Sequence, residues 1–124
     1  MLASYLMNQA SEMWGKKWRS AIIWNLKDGP LRFSQVKSKL PGISMKVLSE
    51  TLKDLEDYDL IVRTQYPTIP VKVTYELHED TKPLIEAQVL YVKCLKVYFY
   101  KHQHQYEFPN WVLEALEKEQ VSNK

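Results

Sequence analysis

This chain predicts a mostly helical fold with one small β-hairpin (α+β), on three observations. First, Ile43 to Asp57, ISMKVLSETLKDLED, repeats its apolar residues at helical spacing. Val47, Leu48, Thr51, Leu52 and Leu55 fall on one face, and Ser44, Met45, Lys46, Ser49, Glu50 and Lys53 on the other. Second, residues 60–66 and 71–77 turn to β-branched and aromatic types, and the latter alternates Val71, Val73, Tyr75 and Leu77 with Lys72, Thr74 and Glu76. Third, Pro67-Thr68-Ile69-Pro70 lies between those two runs, and two prolines cannot sit inside a ladder, so they form the hairpin loop.

Taken in order, residues 4–13 make a short first helix with Tyr5, Leu6, Ala10 and Met13 as its apolar side. Lys17 to Leu26 is a stronger one: Trp18, Ala21, Ile22 and Leu26 recur on one stripe, which Ile23 and Trp24 widen. Asp28-Gly29-Pro30 stops it. Leu31 to Phe33 is an extended link with Phe33 in the core, and Ser34 caps a helix reaching Leu40. Pro41-Gly42 breaks the chain, and Ser44 caps the helix that follows. Two helices joined by a tight turn of about three residues, the second with a short, polar, partly cationic outer face, follow the helix-turn-helix plan. With the hairpin added, the plan becomes a winged helix-turn-helix: residues 44–57 are the recognition helix and 66–72 the wing. An ordinary amphipathic helix with a solvated outer face is the alternative for 44–57 taken alone.

A long helix starts at Thr81, with Pro83 tolerable in its first turn. Leu84, Ile85, Val89, Val92, Leu95 and Phe99 form its apolar stripe, and Tyr91, Tyr98 and Tyr100 widen it. So apolar a helix exceeds what a small core can cover, which predicts packing against its copy in a homodimer; the alternative is a helix folded onto its own domain. A last helix, Trp111 to Gln120, joins the same layer, and Val121 to Lys124 is expected to fray. The organisation expected is one domain over 1–124, with a DNA-binding core at 15–80 and additional dimerisation helices at 81–120.

At 124 residues, 45% hydrophobic and 26% charged, the chain has ordinary globular composition. No run of about 18 apolar residues predicts a membrane span, and MLASYLMNQASE lacks the pattern of a signal peptide. The single cysteine, Cys94, excludes an internal disulfide framework and fits a reducing cytoplasm. Net charge is only +2, yet residues 16–53 carry nine Lys/Arg against two acids, and residues 54–124 carry a surplus of acids. A basic first half is the footprint of a face that meets phosphate. An enzyme is not expected: the sequence has no nucleophile–base pair and no phosphate-cradling glycine loop. Its three glycines, Gly15, Gly29 and Gly42, all stand at turns. No cofactor or metal is expected either, because His102 and His104 are too few for a closed metal site and read as a solvated helix end.

Double-stranded DNA is therefore the expected partner. Lys46 suits a guanine edge or a phosphate, Ser49 a base edge or phosphate, and Glu50 a cytosine amino group, unless Glu50 merely repels phosphate. Ser44 and Met45 stand at the start of the same face. Arg32, Ser34, Lys37 and Lys39 are expected along the flanking backbone, and Lys72 with the wing loop in the adjacent minor groove. Arg63 either joins them or pairs with an acid at the core edge. Trp14, Trp18, Trp24, Tyr91 and Tyr98 could line a pocket for a small aromatic effector, although buried core is the commoner fate of such residues. Cys94 among apolar neighbours reads as inert packing.

The runs GKKW (Gly15 to Trp18), DGPLRFSQVKSKLPGIS (Asp28 to Ser44), LSETLKDLE (Leu48 to Glu56) and VRTQYPTIPVKVTYEL (Val62 to Leu77) resemble the HxlR-type winged helix-turn-helix regulators. The resemblance covers about residues 5–100. It implies a dimeric bacterial or archaeal-type transcription regulator, a repressor or activator on a palindromic operator. Departures are informative. The family's usual cysteine, thirteen positions before the Trp of the Gly-x-Lys-Trp run, is here Tyr5, so its thiolate switch does not carry over. Met45, Glu50 and Thr51 stand where relatives commonly have Pro, Gln and Arg, and Asp59 replaces a usual Gly. A winged-helix module that binds an acidic protein, or a regulator switched by an aromatic or redox effector, are the alternative functions.

Overall fold

The computed structural model describes residues 1–122, with side chains through Gln120. Its elements are α1 (Leu2–Trp14), α2 (Arg19–Asn25), α3 (Phe33–Ser38), α4 (Met45–Asp57), β1 (Ile61–Tyr66), β2 (Lys72–Leu77), α5 (Lys82–His102), a 3-10 turn (Gln103–Gln105) and α6 (Asn110–Ser122). The expected mostly helical architecture with a single hairpin is the one observed. Two compact units divide the chain, Met1–Ile85 and a second from Glu86 onward, with α5 running from one into the other.

The first unit is built around α4. Leu48, Thr51, Leu52 and Leu55 are buried, and the three leucines share one core with Ile22 and Ile23 of α2, Leu26 just after it, Val36 of α3, and Ile61 and Leu77 of the hairpin. Ser44 caps the helix as expected, its Oγ accepting the Val47 N–H at 3.1 Å. Thr51 is tolerated in the stripe because its hydroxyl donates to the Val47 carbonyl at 2.6 Å. Val47 itself is a correction: it is 38% exposed. At about 100° per residue it lies roughly a quarter-turn from the middle of the buried stripe.

The α3 start is a second correction. Ser34 lies inside the helix and does not cap it, because Gln35 folds back and its Oε1 accepts the Arg32 N–H at 2.8 Å. The helix ends at Ser38, so six residues, Lys39 to Ser44, link it to α4 where about three were expected. Leu40 precedes a proline, which disfavours further helix, and it is buried with Ile43 so that the link is pegged to the core at two points. Gly42 supplies the left-handed residue between them, at φ +90°. Likewise α2 begins two residues later than expected, after Trp18 at φ 79°.

In the hairpin Ile61 faces Leu77, Arg63 faces Tyr75 and Tyr66 faces Lys72. Leu31 pairs with Tyr75 on the other edge of β2 through two backbone hydrogen bonds of 2.8 and 2.9 Å. With β2 flanked on both edges and packed by α3, the expected clean alternation fails: Thr74 is buried, while Val71 lies outside the strand and is exposed.

The exit from α4 is closed by Asp59 at φ 57°, with the Asp59 N–H on the Glu56 carbonyl and the Leu60 N–H on the Leu55 carbonyl, each at 2.9 Å. That is a Schellman closure with aspartate in the glycine position. Asp59→Gly is expected to raise stability by about 0.5–1 kcal/mol by removing the left-handed penalty; a urea midpoint that moves upward at unchanged slope is the check. Leu60 O then anchors the next element, accepting the His78 N–H at 3.0 Å and the buried Thr81 hydroxyl at 2.8 Å just before α5.

In the second unit α6 folds back beside α5, and Lys96 pairs with Glu119 at 3.4 Å. The turn between them is held by aromatic rings: Phe99 meets Tyr106 and Phe108 edge-on at 5.0 and 5.3 Å, and Tyr106 stacks on Phe108 at 5.2 Å. The Tyr98 hydroxyl, 3.4 Å away, holds the Tyr106 phenol above its ordinary pKa. His102 lies tilted against Tyr98, ring centres 4.5 Å apart, and is half-buried, so only His104 fits the expected solvated helix end. Of the tail expected to fray, residues through Ser122 continue α6 and the last two lie outside the described residues.

Candidate nucleic-acid interface

Burying Leu48, Thr51, Leu52 and Leu55 fixes which side of α4 looks outward. Lys46, Glu50, Lys53 and Asp57 point directly away from the core at about 100° per residue, and all four are exposed. Ser44, Met45 and Ser49 are exposed at the helix's leading edge. Lys53 reaches Asp57 at 3.7 Å, but with both side chains mostly in solvent such a pair is worth about 0.3–0.5 kcal/mol. The ammonium is therefore free to exchange that carboxylate for a phosphate.

On its hairpin side, α4 opens into a notch of about 420 Å³ lined by Ser49, Lys53 and Glu56 from the helix, Arg63 from β1 and Tyr75 from β2. Arg63 forms no ion pair among the described side chains, although Glu56 lines the same notch. Two cations, two hydroxyls and one carboxylate converge there on one concave surface. Glu56 and Tyr75 were not anticipated, since their place depends on how the hairpin docks against α4. Lys72 lies on the opposite hairpin face, half-buried, its Nζ 5.0 Å from the centre of the Tyr66 ring. Of the flanking residues, Arg32, Ser34 and Lys39 are exposed and Lys37 is half-buried.

Arg19 departs from the expected basic surface. It is buried, donating to the Glu12 and Met13 carbonyls at 2.8 and 3.0 Å and to Asp54 Oδ2 at 3.2 Å. One of the nine cations is thus a structural tie.

The expected effector residues fall in different environments. Trp14 and Trp18 are half-buried against the first unit's core, and Trp24 is half-buried with Lys27 Nζ 4.6 Å from its ring centre. Tyr91 and Tyr98 are exposed on α5. Along the expected dimer stripe Leu84 and Val89 are exposed and Val92, Leu95 and Phe99 half-buried, while Ile85 packs, half-buried, against the first unit's core. Leu90 and Val97 are exposed as well, outside the stripe read from spacing. Cys94 is exposed, a correction to its reading as buried packing. The same applies to α1: Tyr5 and Leu6, its supposed core side, are exposed together with Leu2 and Met7. Among the described residues no His, Cys, Asp and Glu group could hold a metal ion, and no helix is long and apolar enough to cross a membrane.

Comparison with known proteins agrees with this geometry. The family model of the HxlR-like helix-turn-helix matches residues 13–102. An HTH-type transcriptional regulator of Methanothermobacter thermautotrophicus is 44% identical over 71 residues, which are 57% of this chain and 54% of that protein. The match thus spans about half the length of that relative. The Bacillus subtilis regulator YkvN is 33% identical over 114 residues, 90% of either chain. Among solved structures, the reduced form of the transcriptional regulator YodB from B. subtilis superposes with a TM-score of 0.63 at 34% identity, covering 82% of this chain and 95% of that one. YodB has also been solved in a quinone-bound form. The chain belongs to the HxlR-like helix-turn-helix family of winged-helix transcriptional regulators.

Proposed function

We propose that this regulator acts in the cytoplasm as a homodimer on a palindromic operator, with α4 in the major groove and the hairpin on flanking DNA. The observation that carries the reading is the outward face of α4, where Lys46, Ser49, Glu50 and Lys53 are all exposed and continue into the Arg63 notch. Lys46 and Ser49 address base edges or phosphate, Glu50 a cytosine amino group, and Lys53 with Arg63 the backbone beside them. A second copy is needed for two half-sites about 34 Å apart. The exposed apolar side chains of α1 (Leu2, Tyr5, Leu6, Met7) and α5 (Leu84, Val89, Leu90) supply surface for it.

The test is a salt titration of binding to duplex from the protein's own upstream region, against random duplex, with sedimentation at the same concentrations. Specific, steeply salt-dependent binding by a dimer is expected. A monomer indifferent to duplex at low salt overturns the proposal and favours the protein-interaction module. Lys53→Ala is expected to weaken binding to all sequences alike and reduce the salt slope by about one unit; an unchanged slope removes Lys53 from the phosphate contacts.

A second reading adds a switch, a small aromatic effector bound near Trp14 and Trp18, the two indoles packed against the first unit's core. The half-burial of these indoles and the quinone-bound structure of YodB favour it. Titrating a quinone while following tryptophan fluorescence and operator release tests it, and quenching without any change in DNA affinity counts against it.

A further inference from the structure

Charge along the hairpin is placed unevenly. Arg63 and Lys72 bound a stretch of eight residues, Thr64 to Val71, that carries no charge at all. Near its tip Ile69 is fully exposed between Pro67 and Pro70. The loop is braced from within: the Thr68 N–H donates to the Tyr66 carbonyl and the Thr68 hydroxyl to the Pro70 carbonyl, each at 2.8 Å. Two prolines and two internal hydrogen bonds leave little conformational freedom to lose on binding. The fold gains nothing from the Ile69 side chain where it is. A tip serving only to neutralise phosphate would carry Lys or Arg.

This inference rests on the DNA-binding reading above. The hairpin face bearing Arg63 and Tyr75 opens onto Ser49 and Lys53 of α4, so with α4 in the major groove the hairpin crosses the backbone beside it. Its tip is then carried to the neighbouring minor groove. We propose that Ile69 is a specificity-determining wedge that enters the minor groove outside each half-site and reads the shape and deformability of the DNA there. The minor groove offers a degenerate hydrogen-bond code, and an uncharged apolar tip reads none of it. What Ile69 meets is the sugar walls and the stacking of the step beneath, and pyrimidine–purine steps (TA, CA/TG) open most easily. Base preference therefore extends beyond the pairs that α4 touches.

The test selects binding sites from a random duplex library with wild type and with Ile69→Ala, then measures bending of one selected duplex by circular-permutation mobility. Wild type is expected to enrich half-sites flanked by TA or CA/TG steps. Ile69→Ala is expected to keep the half-sites, lose roughly five- to tenfold of the flank preference and bend the duplex less. Since Ile69 touches no core, an unchanged melting curve shows that the variant is folded. Identical flank enrichment by both proteins overturns the wedge. Half-sites with no flank preference from wild type overturn it too, while leaving the DNA-binding reading intact. A wild type that selects no duplex overturns both, and a changed oligomeric state in Ile69→Ala reassigns the tip to a protein contact.

Discussion

Leu48→Ala is expected to destabilise the first unit by about 2–5 kcal/mol, while Val47→Ala, one position earlier, shifts stability by less than about 0.5 kcal/mol. Leu48 is 0% exposed at the centre of the α4 stripe, and truncating it removes apolar contacts and leaves a cavity that α2 and the hairpin cannot fill without moving. Val47 is 38% exposed, and alanine there trades little burial for better helix propensity. Urea unfolding of both variants, read as midpoint shifts at constant slope, gives the comparison. The outcome bears on function as well as on stability. Equal losses, or a larger loss at Val47, mean that α4 is rotated from the placement described, and Lys46 and Lys53 then no longer point away from the core. The proposed DNA face falls with that rotation.

Much of this was legible in the sequence because it is local. The stripe at Leu48, Thr51, Leu52 and Leu55 follows from helical period alone, and the cap at Ser44 from a break at Pro41-Gly42 just before it. The hairpin follows from a change of period across two prolines. Val47 was misplaced because the edge of a stripe is set by what packs beside it, which periodicity does not encode. Ser34 is not the cap because the helix begins one residue earlier, at Phe33, where Gln35 reaches back to the Arg32 N–H. The uneven burial of β2 depends on Leu31, more than 40 residues away, joining its far edge. On the outer surface, the exposed cations of α4 could be named individually. The notch joining Ser49 and Lys53 to Arg63 and Tyr75 exists only once helix and hairpin are docked.

Arg19 is the residue that sequence reasoning missed most completely, and the second large effect is expected there: Arg19→Met should cost about 2–4 kcal/mol, by loss of charged hydrogen bonds from a buried donor. In a tally of charges it was one more cation on a basic surface. Its partners come from two segments, the end of α1 and the second half of α4 with its cap, so no local pattern reveals them. Nη1 satisfies the Glu12 and Met13 carbonyls in the last turn of α1, which lack helical partners of their own. Nη2 reaches Asp54 on α4, and the guanidinium carbon stands 5.3 Å from the centre of the Tyr58 ring. Methionine fills most of the volume but offers no donor, leaving those carbonyls unpaired. The ion pair itself is the smaller part, because the Asp54 side chain is 52% exposed and water replaces its partner readily, so Asp54→Asn is expected to cost less than about 1 kcal/mol. Denaturation of the two variants side by side, with amide exchange along α1, separates the contributions: Arg19→Met loosens α1 and Asp54→Asn leaves it protected. Equal costs would make the Asp54 pair, and not the carbonyl clamp, the source of stability. If the clamp dominates, one side chain holds α1, whose exposed apolar surface is proposed to meet a second copy, to the helix proposed to face DNA, and its loss is expected to weaken dimerisation and operator binding together.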